Sequence, residues 1–374
     1  MQYRILKANL LSRSQSFFGS GGPESSSPTK TPLKRCFHKN LYPKVADVML
    51  HKIRVLPLAA ESLGVRSMCT YVETSDLRIL LDAGVSLAPS RFRLPPHPRE
   101  YRAIKDSRRK IAEFAEKADV VTISHYHFDH HTPSYEDWLC NWTDAETAQQ
   151  IYEDKLVLAK NYRENINASQ RRRGWTFEKT GGKHAKKLEF ADGKAFSFGE
   201  TELRFSLPVF HGLPNTPLGW LIMTSIDYQD ERVLFASDVQ GPLDAAALQI
   251  ILAEKPQLLI IGGPPVYLAG FRVNDEQIQL GLNNLEASAR KIPIVVVEHH
   301  LLRDLKWRDS AKQVFQAAKE AGNKVITAAE FLGREDQLLE AKRKQLFEED
   351  PPSPDFKRWS KLPDYKRSKI KPPL

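Results

Sequence analysis

The sequence is poor in cysteine and has no long apolar run. Its 374 residues include three cysteines, Cys36, Cys69 and Cys140, none of them in a CxxC pair. This odd number supports neither a disulfide framework nor a cysteine zinc knuckle. Charged and glycine–proline positions interrupt the most apolar stretch, residues 248–269, so no segment approaches the roughly 18 uninterrupted apolar residues of a membrane-spanning helix. We therefore expect a soluble, cytoplasmic protein without a membrane role.

Acidic residues are scarce at both ends of the chain, whose formal net charge is +9. Residues 1–48 carry eight basic and two acidic side chains, and residues 355–374 carry seven basic and two acidic ones. The body between them has a slight excess of acid, so its net charge does not favour a polyanion-binding surface. Nucleic-acid binding through the basic ends stays an alternative that we do not favour.

Composition divides the chain into three parts. Residues 1–48 are rich in serine and show no apolar periodicity, so we expect disorder there. This segment is either an organellar import leader or a mis-assigned start, with Met49 as the true initiator. Residues 49–333 are the predicted folded domain. Residues 334–374 are expected to form a helix followed by a solvated, basic, proline-rich tail.

The body alternates between β-rich and helical patterns. Apolar residues at three- and four-residue spacing predict helices over residues 101–117, 244–253, 276–290 and 310–321. Short β-rich runs lie at residues 51–58, 68–72, 78–81, 120–123, 155–158, 202–206, 218–224, 232–236, 257–261 and 292–297. The strands form meanders first and alternate with helices later. This order predicts a layered α/β sandwich rather than a simple doubly wound sheet.

Four histidines and an aspartate follow the strand pattern at residues 120–123. They form an HxHxDH motif, His125, His127, Asp129 and His130, with His131 directly after it. Residues two apart in an extended segment point to the same side, so His125 and His127 can bind one metal ion. Asp129 and His130 lie at the following turn, where they can face a second ion. The alternative, a solvated histidine-rich turn, fits poorly with a buried strand immediately before it.

Two complete metal sites need more ligands than this motif supplies, because each zinc ion takes about four. Further ligand types follow later strand patterns: His211, Asp238, and the pair His299 and His300. This order of motifs resembles the metallo-β-lactamase fold superfamily over roughly residues 50–333. Asp82, at the end of an early strand, looks like the usual strand-end aspartate of that superfamily.

Several strings resemble one mainly archaeal metallo-hydrolase subfamily of that superfamily, which has no established substrate. They are ESLGVRS at 61–67, SHYHFDHHTP at 124–133, SDVQGP at 237–242 and HHLLRD at 299–304. The resemblance implies a four-layer αββα sandwich with two divalent metal ions. Zinc is the expected metal, with iron and manganese as alternatives, because histidine and carboxylate ligands suit all three.

The resemblance also implies residue roles. The first ion would be held by His125, His127 and His211. The second would be held by Asp129, His130 and one of His299 and His300, with Asp238 bridging the two ions. The doubled histidines leave the ligand register open. We favour His299, which is nearer the strand end, as the ligand, and His300 as a residue that orients substrate or donates a proton. The predicted catalytic residues are then Asp129, Asp238 and His300.

These features predict a dinuclear hydrolase. Two metal ions about 3.5–4 Å apart lower the pKa of a shared water, whose hydroxide can attack an ester or a phosphodiester. The expected substrate is a small molecule or nucleotide-type ester. One alternative is an RNA- or DNA-processing nuclease, although Asp238 and His299 are only 61 positions apart, which leaves no room for the large extra domain of β-CASP nucleases. The other is a non-hydrolytic, iron-binding redox or sensor protein.

Other polar residues are weaker candidates. Arg163 and Arg171–Arg173, with neighbouring asparagines and Gln170, form either a face for a substrate anion or a solvated helix face. Arg303 either binds a substrate anion or pairs with an acid. His38, His51, His97 and His184 lack partner spacing, so we expect them on the surface.

Overall fold

The computed structural model describes residues 50–374, so the predictions for residues 1–48 and Met49 lie outside the described part. Its first sheet has six strands in the order β1-β2-β3-β4-β5-β6. Strands β1 to β3 are antiparallel, whereas β3 to β6 run parallel. The strands are β1 (Arg54–Pro57), β2 (Thr70–Glu73), β3 (Arg78–Leu81), β4 (Val120–Ile123), β5 (Leu156–Ala159) and β6 (Lys187–Phe190).

The second sheet has seven strands in the order β15-β14-β13-β12-β11-β8-β7, and β9 pairs with β10 in a separate ribbon. Strands β12 to β15 run parallel. The strands are β7 (Ala195–Phe198), β8 (Thr201–Phe205), β9 (Val209–Phe210), β10 (Trp220–Leu221), β11 (Thr224–Tyr228), β12 (Glu231–Ala236), β13 (Leu258–Gly262), β14 (Ile294–Glu298) and β15 (Lys324–Ile326).

The α-helices fall mostly between parallel strands, where crossover connections require them. They are α1 (Pro98–Ala115), α2 (Ala145–Tyr152), α3 (Ala168–Lys179), α4 (Ala245–Glu254), α5 (Asp275–Lys291), α6 (Trp307–Ser310), α7 (Lys312–Glu320), α8 (Ala328–Phe331), α9 (Arg343–Glu349), α10 (Pro354–Ser360) and α11 (Asp364–Arg367). Short 3₁₀ segments include Glu61–Leu63, Val266–Leu268 and His299–Arg303.

Three apolar cores hold these elements in four layers. One core joins the facing sides of the two sheets, for example Ile79 and Val120 of the first with Phe235 and Ile260 of the second. Another packs α1, α2 and α3 on the outer face of the first sheet. The third packs α4, α5 and α7 on the outer face of the second sheet. Each sheet therefore has a helical layer outside and a sheet inside, which confirms the predicted αββα sandwich.

The expectation of a solvated C-terminal tail was wrong. Phe356 and Trp359 of α10 are 1% and 5% exposed and belong to the core beneath the first sheet. Ser353 caps this helix by accepting a hydrogen bond from the Phe356 amide, and Pro354 occupies its first turn. The many lysines and prolines of this segment favour a solvated tail by composition. Its two aromatic residues, however, are three positions apart, so a helix places them on one face.

Two other local predictions also differ from the structure. His97 is fully buried rather than exposed, because it caps α1 in a capping box with Glu100. The single strand expected over residues 218–224 is divided between β10 and β11. The chain leaves the ribbon at Ile222, whose amide donates to the carbonyl of Ser124 beside the HxHxDH motif.

Within residues 50–374, no helix combines the length and the apolar character needed to cross a bilayer. The cytoplasmic location stays a prediction.

Candidate metal centre

The candidate ligands lie directly after strands of both sheets. His125 to His130 follow β4, Asp238 follows β12 by two residues, and His299 follows β14. Parallel strands end at the same edge of a sheet, so residues that follow them gather there. His211 joins them from the end of β9. His125 and His211 are nearly ninety positions apart in the sequence, and Asp238 and His299 are further along the chain. The fold brings all of them into one buried cluster.

One group contains His125, His127, His211 and Asp238. Each of these residues offers one ligand atom, and the four atoms lie within 4.8 Å of one another. The Nε2 atoms of His211 and His125 are 2.9 and 3.5 Å from Asp238 Oδ2. This is the set predicted for the first ion, with Asp238 added to it.

A second group contains Asp129, His130 and His299, again with ligand atoms within 4.8 Å of one another. His299 Nε2 lies 3.4 Å from Asp129 Oδ2 and 3.1 Å from Asp238 Oδ1. His130 Nε2 lies 3.3 Å from Asp238 Oδ2. Asp238 therefore contacts members of both groups: Oδ2 lies near His125, His211 and His130, and Oδ1 lies near His299.

The buried atoms of this cluster fit metal binding. His125 Nε2, His130 Nε2 and Asp238 Oδ1 are fully enclosed and form no hydrogen bond. A buried polar atom without a partner costs about 1–3 kcal/mol, and the cost falls on three atoms at one place. Imidazole nitrogens and carboxylate oxygens are the usual ligands of zinc and related divalent ions.

Burial and mutual contact set the charges in the cluster. Burial holds the pKa of His125 well below its ordinary value and lowers that of His127 to about 3, so both rings are neutral. Although burial opposes it, the Asp238 carboxylate raises the pKa of His130 to about 10. Burial likewise opposes ionisation of Asp238, but contact with His299 and other histidines keeps its pKa well below the usual range. The ionised carboxylates therefore favour positive charge in the cluster, either on His130 or on a bound cation.

Asp82 orients two members of the cluster from the end of β3. Its Oδ2 lies 2.8 Å from His130 Nδ1, and its two oxygens accept hydrogen bonds from the Ser124 amide and hydroxyl. The Ser124 hydroxyl lies 3.0 Å from His125 Nδ1. When His125 and His130 each donate through Nδ1, both leave an Nε2 lone pair for a metal ion.

In the first histidine doublet, His130–His131, one ring lies in the cluster and the other lies in the apolar core. His131 is 2% exposed, its Nδ1 lies 2.9 Å from the His127 carbonyl, and its ring packs on Phe128 and Phe177. Gly84 permits this arrangement, because a Cβ there would stand 2.3 Å from the His131 amide nitrogen. His130, not His131, thus lies beside Asp238.

In the second histidine doublet, His299–His300, both rings lie at the cluster. His300 Nε2 is enclosed without a hydrogen bond and lies 3.6 Å from Asp238 Oδ1. Its Nδ1 lies 3.0 Å from Arg303 Nη1 and 3.4 Å from the Tyr267 hydroxyl. His299 Nδ1 lies 3.4 Å from Glu61 Oε2. By distance alone, His300 forms a further group of possible metal ligands with Asp238 and His299.

The weaker candidates have mixed outcomes. Arg303 pairs with an acid, but the acid is Glu61 rather than the neighbouring Asp304. Arg163 pairs with Glu178. Sequence reasoning missed Glu61 and Tyr267 as neighbours of the cluster. Glu61 belongs to the ESLGVRS string, so that string was a signal, whereas nothing in the sequence marks Tyr267.

The two packed sheets, their outer helices and the strand-end histidine cluster define this chain as a metallo-β-lactamase fold protein. No protein-family model matches the chain. It is 45% identical over 298 residues to a UPF0282 protein of Methanopyrus kandleri, a match that covers 80% of this chain and 100% of the relative. It is 44% identical over 295 residues to one of Thermococcus gammatolerans, with coverages of 79% and 95%. The chain belongs to the UPF0282 family, as the archaeal resemblance predicted.

Solved structures with a similar chain path are more distant. Igni18, a metallo hydrolase from Ignicoccus hospitalis, is 14% identical, with coverage of 74% of this chain and 94% of that one and a TM-score of 0.39. CmlA, a diiron beta-hydroxylase from Streptomyces venezuelae, is 12% identical with a TM-score of 0.40, and the match covers 74% of this chain and 52% of CmlA. The chain thus spans about half the length of CmlA. The family assignment depends on the sequence relatives alone.

Proposed function

We propose that the protein is a dinuclear metal-dependent hydrolase that acts on an ester or a phosphodiester. The observation that supports it is the position of Asp238 between two histidine groups, with enclosed nitrogen and oxygen atoms that lack partners. One ion would be held by His125, His127 and His211, and the other by Asp129, His130 and His299, with Asp238 shared. Two divalent ions, which we propose to be zinc, would activate water and neutralise the charge that develops on the substrate.

The hydrogen bonds around the second doublet favour His299 as the ligand. Arginine can only donate, so His300 Nδ1 accepts from Arg303 and its proton lies on Nε2. That ring has no Nε2 lone pair to offer a metal ion. His299 Nδ1 lies 3.4 Å from Glu61 Oε2 and 3.3 Å from Arg303 Nη2, so it has an acceptor that His300 Nδ1 lacks. Donation to Glu61 would leave the Nε2 lone pair of His299 beside Asp129 and Asp238.

His300 then serves as a hydrogen-bond donor to the substrate. Burial, together with the positive charge of Arg303, holds the pKa of His300 well below its ordinary value, so the ring is neutral. Its Nε2 proton would stabilise a negatively charged oxygen that forms near Asp238. Asp129, whose carboxyl stays ionised because contact with His299 outweighs its burial, would accept a hydrogen bond from the attacking water.

Metal analysis combined with substrate turnover tests this proposal. We expect about two zinc ions per chain after purification without added metal, and hydrolysis of bis(p-nitrophenyl) phosphate or of a thioester. Asp238→Ala should abolish turnover and lower metal content. Asp230→Ala is the matched control, because Asp230 is an exposed aspartate paired with Lys52, and it should leave both unchanged.

Other results would favour the alternatives. Iron without turnover of either ester would contradict the hydrolase and favour the redox or sensor function. Oligonucleotide binding with a steep salt dependence, together with cleavage of the strand, would favour a nuclease. Full turnover in Asp238→Ala would remove the shared-ligand role of Asp238.

A further inference from the structure

Arg173 of α3 places a guanidinium group against the HxHxDH motif. Its Cζ lies 4.4 Å from the ring centroid of Phe128, the residue between His127 and Asp129. Its Nη1 donates a weak hydrogen bond, 3.4 Å long, to the Tyr126 carbonyl. The positive charge is therefore held next to the candidate ligands by an aromatic face and one carbonyl.

Arg173 has no carboxylate to neutralise it among residues 50–374. Two other arginines considered as anion-binding residues are paired, Arg303 with Glu61 and Arg163 with Glu178. Asp129 is close enough to influence the charge of Arg173, but its Oδ2 is directed to His299. The Arg173 nitrogens without a hydrogen bond are not among the enclosed atoms of residues 50–374, so these donors are accessible to a ligand.

The surroundings of Arg173 remain open to a ligand. Tyr135, which is 42% exposed, packs its ring against Phe128 with centroids 5.8 Å apart. Arg171 and Arg172 precede Arg173 on the same helix but are exposed. Of these three consecutive arginines, only Arg173 lies beside the packed rings of Phe128 and Tyr135.

We propose that Arg173 binds an oxyanion group of the substrate, a phosphate or a carboxylate, and so restricts the enzyme to anionic esters. This inference depends on the proposed hydrolase function for its substrate. A guanidinium group recognises both oxyanions with paired N–H donors. The aromatic face of Phe128 holds that group in position while its remaining donors stay free.

Three esters with the same leaving group test this role: neutral p-nitrophenyl butyrate, mono-p-nitrophenyl succinate with its free carboxylate, and bis(p-nitrophenyl) phosphate. Arg173→Ala should lower kcat/KM for at least one anionic ester by about tenfold or more relative to the butyrate. Arg173→Met, which keeps the packing on Phe128, should do the same. Arg172→Ala is the matched control and should change no ratio by more than about twofold.

The pattern of losses identifies the anion. A selective loss for the succinate ester assigns a carboxylate, and a selective loss for the phosphodiester assigns a phosphate. An equal loss for all three esters, or no loss, would overturn the proposal, provided that metal content and melting temperature match the wild type.

Calorimetry separates this inference from the proposed function. Metal-loaded wild type and Arg173→Met are titrated with inorganic phosphate and with succinate. At least one anion should bind about tenfold more weakly to the variant. If wild type hydrolyses neither these esters nor the thioester, the hydrolase proposal fails, yet this difference in Kd still supports Arg173 as an anion site. Equal binding, or no binding to wild type, would overturn it.

Discussion

The two histidine doublets, His130–His131 and His299–His300, look alike in sequence but are placed differently. Each comes shortly after a buried strand that is paired in parallel. In the first, a turn in which both amides donate to the His127 carbonyl directs only His130 to the cluster. In the second, a left-handed conformation at His299, with φ of 66°, starts a 3₁₀ segment and brings both rings to Asp238. The backbone conformation after the strand, rather than the presence of two adjacent histidines, decides how many histidines reach the site.

Substitutions within the first doublet should give the largest contrast. His130→Ala removes a proposed ligand, and we expect loss of metal with a fall in kcat of more than about 100-fold, since even outer partners of ligands contribute about 10- to 100-fold. His131→Gln should retain metal and most activity while lowering the free energy of unfolding by about 1–2 kcal/mol. Elemental analysis, turnover and urea unfolding measure these effects. Equal metal loss in both variants would contradict the division of this doublet.

The second doublet should behave differently, because both of its histidines lie at the cluster. His299→Ala should lose metal, whereas His300→Gln should keep it and lower kcat by about 100-fold, the effect expected when a hydrogen-bond donor to a developing negative charge is moved from its position. Metal content and kcat for each variant check this difference. Metal loss in His300→Gln with retention in His299→Ala would reverse the assignment.

Asp82 supports only the first doublet directly. Asp82→Asn replaces the carboxylate that accepts from His130 Nδ1, so we expect metal affinity to fall by about 10- to 100-fold. Competition with a chelator measures that affinity, and Asp230→Asn serves as the exposed control. Unchanged affinity would show that His130 needs no such partner.

Acid should destabilise the fold through Glu340, away from the metal ligands. Although burial opposes it, pairing with Arg66 lowers the pKa of Glu340 to about 2 from an ordinary 4.5. The pair therefore stabilises the fold above pH 4.5, and this stabilisation is lost as pH falls towards 2. Wild type should lose about 2 kcal/mol from this group between pH 7 and pH 3.

Glu340→Gln tests that pH dependence in metal-free protein. The variant should be less stable than wild type at pH 7, because Arg66 is left without its partner, and the gap should shrink by about 2 kcal/mol at pH 3. Urea unfolding at both pH values measures the gap. A gap that stays constant with pH would show that Glu340 titrates normally in the folded chain.

Much of the cluster was predictable because its chemistry is local. The strand at Val120–Ile123 has the predicted bounds, and the HxHxDH residues that follow it lie at the cluster as expected. Pairing of Arg303 with an acid was one of the predicted alternatives, but its partner Glu61 and the position of Tyr267 were not predictable, because contacts over tens to hundreds of positions have no periodicity to reveal them. The capping box at His97 and Glu100 did have a local signal, since proline follows the cap and glutamate stands three residues after it.

The sequence by itself determined which ligand types follow which strands, because short, nearly continuous apolar runs specify these buried strands and the polar residues come directly after them. Only the tertiary structure decided that one member of the first doublet and both members of the second face Asp238. It also decided that, among residues 50–374, Arg303 pairs with a carboxylate while Arg173 does not. The physical reason is that a metal site and an ion pair are set by distances of a few ångströms between atoms from different strands. Those distances exist only after the two sheets pack together and their strand ends meet.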